Sequence, residues 1–167
     1  MKNILLSVLL LQTLMVVTSL ADDTNCVVST TVETNGYRFT VCATNSSPKV
    51  GEIITITTTL ENVSTNDVTV ALTVPLRDHT VQVLWQQKQS MDLTLYGRHS
   101  KNDGLSSLKE TLEPGKQITE SFQINRLFDM SMTGEYEIIM SRWIRIHNET
   151  EWGTITAPPI KVTLKGK

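Results

Sequence analysis

The chain has three histidines, His79, His99 and His147, and no two of them lie within four residues of each other. That spacing excludes a chelating imidazole pair, and taking Asp78 and Asp103 as extra ligands produces no metal-binding spacing either. Gly-x-Ser-x-Gly is absent, and so is a Gly-rich phosphate loop, which removes two common routes to nucleophilic and phosphoryl chemistry. Asn102-Asp103-Gly104 looks like a fragment of a calcium loop, but the alternating oxygen ligands and the terminal Glu are missing. Carboxylates that neighbour each other, Asp22-Asp23 and Glu149 with Glu151, fall in an exposed-looking terminus and turn and define no glycosidase pair. No catalytic activity, metal or cofactor is expected. Charge of one sign is missing too. The 15 basic and 17 acidic side chains are interspersed, so no stripe for nucleic acid and no acidic tail forms.

What is present begins with a targeting pattern. Lys2 precedes an apolar run over residues 4–20, interrupted by Ser7, Gln12, Thr13, Thr18 and Ser19. Ser19-Leu20-Ala21 places small residues at the −3 and −1 positions of a cleavage site. A signal peptide over residues 1–21 is expected, with a secreted or periplasmic product that keeps no membrane segment. The run of 17 residues sits at the short edge of what spans a bilayer. The expected product, Asp22–Lys167, has 146 residues and a formal charge of −3 once Lys2 is lost. That length suits one domain with a workable core.

Only two cysteines occur, Cys26 and Cys42, both in the exported part. In an oxidising compartment they most simply pair with each other. In the chain-entropy description such a loop stabilises by on the order of 3 kcal/mol. Asn35-Gly36 between two Val- and Thr-rich runs is a strong hairpin signal. A two-residue turn there would leave Cys26 three residues out of register with Cys42. Either the loop is longer or bulged, or the first strand diverges. The disulfide is retained as an expectation and the tight turn is doubted.

Period-two alternation marks most of the remaining chain. Ile54, Ile56, Thr58 and Leu60 share one face, as do Val68, Val70, Leu72 and Val74, and then Val81, Val83 and Trp85. Residues 93–96 form a short strand candidate. Residues 97–107 are the most polar stretch of the exported part and are expected to form an exposed loop. Ile118, Phe122 and Ile124 point inward, with Glu120 a departure. Residues 126–133 have room for one helical turn. Tyr136, Ile138, Met140, Ile144 and Ile146 share a parity that Arg142 interrupts. The last strand, 154–164, contains Ala157-Pro158-Pro159, which places it at an edge or at a kink between sheets. Eight to ten short strands without a long helix or an internal repeat predict an all-β, antiparallel immunoglobulin-like β-sandwich.

The punctuation of that pattern carries a resemblance. Val50-Gly51-Glu52 leads into a strand. Leu112-x-Pro114-Gly115 leads into another, followed by Leu127-Phe128-Asp129-Met130-Ser131 and then Gly134-x-Tyr136. Residues 50–146 thereby resemble the immunoglobulin-like, non-catalytic domain of secreted deuterolysin-type metallopeptidases and the BsuPI-type proteinase inhibitors. The peptidases' His-Glu-x-x-His helix has no counterpart here, so the resemblance implies the accessory domain alone. The punctuating residues also have ordinary structural readings. Pro114-Gly115 suits a turn. Gly134 permits a tight start to a strand. Tyr136 can bury its ring and bond its hydroxyl to the preceding backbone. Asp129 has the chemistry to accept loop N–H groups.

Three kinds of candidate site remain. Trp143 and Trp152 either cover the edge of the sandwich, as large aromatics usually do, or form a contact surface for a sugar or a protein if exposed together, Trp143 being on the solvent parity of its strand and Trp152 in the turn 148–153. Lys101, Asn102, Asp103 and Gly104 form the tip of the polar loop and are the candidate inhibitory element that the BsuPI-type resemblance implies. Asn45, Asn62 and Asn148 head sequons in turns and are candidate glycosylation sites. The expected function is that of a non-catalytic binding module for an extracellular or periplasmic protein or glycan, with a peptidase inhibitor as the alternative.

Overall fold

Asn35 and Gly36 both take positive φ, 51° and 78°. These values suit a primed two-residue turn, whose twist matches that of the strands it joins. It connects β1 (Val28–Thr34) to β2 (Tyr37–Ala43), with Thr34 opposite Tyr37 and Ser29 opposite Cys42. The tight turn that the cysteine spacing called into question is therefore present. Cys26 lies beyond the end of β1 and bonds Cys42 with a Cα–Cα distance of 5.7 Å. Cys42 has outward parity yet is buried, with Cys26 bonded onto it.

The computed structural model describes residues 26–72, 76, 79–102, 108–146 and 151–167. The expected leader, and Asp103, Gly104 and Asn148 among the candidate sites, lie outside them. β3 (Thr55–Asn62) pairs with β2, and β8 (Gln117–Gln123) pairs with β3, giving a four-stranded sheet in the order β1-β2-β3-β8. The second sheet centres on the 13-residue β9 (Gly134–Ile146). One side of β9 pairs with β5 (His79–Trp85), which carries the short β6 (Gln89–Ser90). The other pairs first with β10 (Glu151–Thr156) and then with β11 (Ile160–Leu164). A separate ribbon joins β4 (Val68–Leu72) to β7 (Leu108–Leu112), and β4 packs on β9. Every strand-to-strand pairing is antiparallel, and the fold is the expected all-β sandwich.

The inward parities read from the sequence form the core. Ile54, Ile56, Thr58 and Leu60 are fully buried, as are Ile138, Met140 and Ile144 on β9. Each aliphatic side chain so enclosed stabilises by roughly 1.5–3 kcal/mol relative to exposure. Tyr136 behaves as its position predicts. Its hydroxyl donates to Met132 O at 2.8 Å and accepts from Met132 N at 3.2 Å, fixing the loop before β9. Burial pushes its pKa up.

Five expectations about these segments need correction. The exposed loop expected from residue 97 begins instead as helix α1 (Leu95–Asn102), which also takes Leu95 and Tyr96 out of the strand expected at 93–96. Thr94 Oγ1 caps it by accepting from Gly97 N at 3.0 Å. α1 packs against α2 (Ile124–Leu127), which supplies the single helical turn two residues earlier than expected. Gly97 is the point of approach, because a Cβ there would lie 2.1 Å from Leu127 O. The last strand is two strands, since Pro158 and Pro159 interrupt the ladder and split it into β10 and β11 along one side of β9. The outer side of β11 is covered: Thr163 N and Lys165 N donate to Ser46 O and Pro48 O, and Val50 N donates back to Lys165 O. Finally, Asp129 is exposed and its side chain makes no hydrogen bond among the described residues, whereas Asn125 ties this corner by accepting from Ile54 N at 3.1 Å and donating to Glu52 O at 2.8 Å.

Candidate contact surface

β10 positions Trp152, which belongs to a strand and not to the turn expected over 148–153. The register sets Trp152 opposite Arg145 and Trp143 opposite Thr154. All four side chains share the outer face of β9 and β10, and the two tryptophans are diagonal neighbours. Such neighbours lie roughly 7–8 Å apart on an antiparallel pair, within reach of indole rings. Trp143 is 42% exposed and Trp152 is 39% exposed. The Arg145 guanidinium stacks over the Trp152 ring at 4.2 Å from its centroid. In the next row, Ser141 and Thr156 share a hydrogen bond of 2.8 Å.

The strip is built of aromatic, guanidinium and hydroxyl side chains. It offers two flat apolar faces, a planar cation and a pair of hydroxyls, and these six side chains include no carboxylate, imidazole or thiol. Tryptophan and arginine are the residues that most often anchor interfaces. Further along the same face, Lys161 Nζ lies 3.0 Å from Glu135 and 3.3 Å from Glu137. The bond from Lys161 draws Glu135 below the usual carboxylate range and raises Lys161 in turn.

Among the described candidates, Lys101, Asn45 and Asn62 lie away from this strip. Lys101 is exposed on the last turn of α1, and Asn102 ends that helix. Asn45 is half-buried and its Oδ1 accepts from Ser47 N at 2.9 Å. Asn62 is fully buried. Its Nδ2 donates to Asn66 O and Leu112 O, both at 2.8 Å, and its Oδ1 accepts from Ser64 N and Ser64 Oγ. Those bonds pin the place where the chain leaves the first sheet for the β4–β7 ribbon. A glycan on that nitrogen has no route to solvent, so the geometry makes Asn62 a structural asparagine.

A second concentration of polar chemistry lies inside the sandwich. Arg142 on β9 is fully buried and its Nη1 donates to Glu120 Oε2 on β8 at 3.0 Å. His79 Nε2 lies 3.5 Å from the same oxygen and 3.5 Å from Thr58 Oγ1. Phe122 meets the His79 ring edge-on at 4.9 Å. His79 faces Arg142 on one sheet and Thr58 faces Glu120 on the other, so the cluster links the two layers. The contacts of His79 to Glu120 and to Thr58 share one ring nitrogen, Nε2. Thr58 is fully buried, with no face for a substrate. Among the described residues, no three His, Cys, Asp or Glu side chains come together as metal ligands.

No protein-family model matches the chain, and no curated protein matches it.

Proposed function

We propose that this chain is a secreted, non-catalytic binding module that engages an extracellular or periplasmic protein or glycan through the outer face of β9 and β10. The observation that carries the reading is the pair of half-exposed tryptophans, diagonal to each other, with Arg145 stacked on one of them. Isolated large aromatics are normally mostly buried, whereas contiguous exposed ones mark contact sites. Secretion rests on the leader pattern, and the Cys26–Cys42 disulfide accords with an oxidising compartment. The likeness of residues 50–146 to the accessory domains of secreted metallopeptidases fits a module without its own chemistry.

The test is a tryptophan fluorescence titration, with a glycan panel and with proteins recovered from the extracellular extract of the source organism. A ligand of this surface changes the emission of the native protein, and Trp152→Ala removes that change. Capture of a peptidase in a complex insensitive to Trp152→Ala, but lost when Lys101, Asn102, Asp103 and Gly104 are replaced by a short linker, would favour the inhibitor reading instead.

A further inference from the structure

Among the described residues no strand pairs with the outer edge of β10, which β1 of the other sheet approaches without pairing. Ala157 N donates to Met140 O at 3.1 Å, which fixes the alternation of the β9–β10 ladder. Residues 151, 153 and 155 therefore turn their backbone groups toward β9. Trp152, Thr154 and Thr156 turn theirs away, and among the described residues no backbone group bonds to them. Exposed edges are ordinarily blunted by lysine, proline, a bulge or an inward charge. The edge strand β8 carries the inward Glu120, and the edge strand β1 carries Glu33, paired to Arg38. From Trp152 to Thr156, β10 carries no such device: it is uncharged, contains no proline, and keeps an unbroken register with β9.

We infer that this edge pairs with the same edge of a second copy, antiparallel, about a two-fold axis at Thr154. The pattern is self-complementary. Thr154 exchanges both hydrogen bonds with the partner's Thr154, and Trp152 exchanges both with the partner's Thr156, giving six bonds across the junction. Glu151 lies outside the paired stretch, so no like charges meet. The outer face becomes continuous, because the row Trp143, Thr154 runs on into the partner's Thr154 and the partner's Trp143. A closed two-fold contact uses up the edge on both copies and leaves none to propagate. The inference is independent of what the tryptophans bind.

Sedimentation velocity of the purified protein, from low micromolar to sub-millimolar concentration, tests it. The expected result is a monomer–dimer equilibrium. Thr154→Lys and Thr154→Glu each place like charges face to face across the axis and yield monomers, while their equimolar mixture restores the dimer. The exposed position keeps both variants folded, which far-UV circular dichroism verifies. A native protein that stays monomeric throughout, a dimer that survives either substitution, or a mixture that remains monomeric would overturn the inference.

Discussion

Arg142 and Glu120, the two charged residues that interrupt otherwise apolar inward parities, are bonded to each other across the sandwich at 3.0 Å. Arg142 is fully enclosed, while the Glu120 side chain keeps 18% of its exposure. Removing one member takes this bond from the charge that remains in the interior. Glu120→Gln should therefore lower stability by about 3 kcal/mol. The double variant Glu120→Leu with Arg142→Met should lose much less than the two single changes added together. Urea denaturation of the four proteins measures this coupling, and strict additivity would contradict it.

Tyr136 gives the pH dependence. Its pKa is raised by burial, so the folded state holds the phenolic proton more tightly than the unfolded chain. That contribution is complete below the unfolded value near ~10 and is lost as pH rises through the folded value. Tyr136→Phe should cost about 1–2 kcal/mol at neutral pH, through the lost bonds to Met132. It should also flatten the decline in melting temperature above pH ~10. Melting curves at neutral and alkaline pH check both effects.

The sequence carried the strands and missed the meetings. Alternation made Ile54 to Leu60 and Tyr136 to Ile144 readable, because a strand buried on one face has a period of two. Glu120 and Arg142 each looked like a fault in a strand, since nothing local says that two distant faults share a core. α1 was hidden by its polar, Gly-containing sequence. Its available signal was Thr94, three residues before Gly97, in the position of an N-cap. The polar residues around Trp152 read as a turn because they mark strand boundaries weakly, whereas pairing with the long β9 carries β10 back to Glu151.

Gly97 should tolerate no side chain. Gly97→Ala puts a methyl group into the Leu127 carbonyl and must push α1 off α2. A loss of about 1–3 kcal/mol is expected. Hydrogen exchange should localise the loosening to α1 and α2, and an unchanged exchange pattern there would argue against the contact.

Asn62 should remain unmodified in a glycosylating host, because its amide is committed to two carbonyls in the interior. Asn62→Ala strands those carbonyls and Ser64 N, and should cost about 3 kcal/mol. Glycopeptide mapping and a melting curve decide the two halves of this prediction.

The most direct measurement compares the native protein with the double variant Trp143→Ala, Trp152→Ala, scoring stability and binding together. If the outer face of β9 and β10 is a contact surface, the double variant keeps its stability within about 1 kcal/mol, as expected of exposed side chains. It also loses the glycan or protein partners that the native protein retains. A variant that unfolds while the native protein shows no partner, or one that keeps every partner, would contradict the account and make the two tryptophans a cover for the edge of the sandwich.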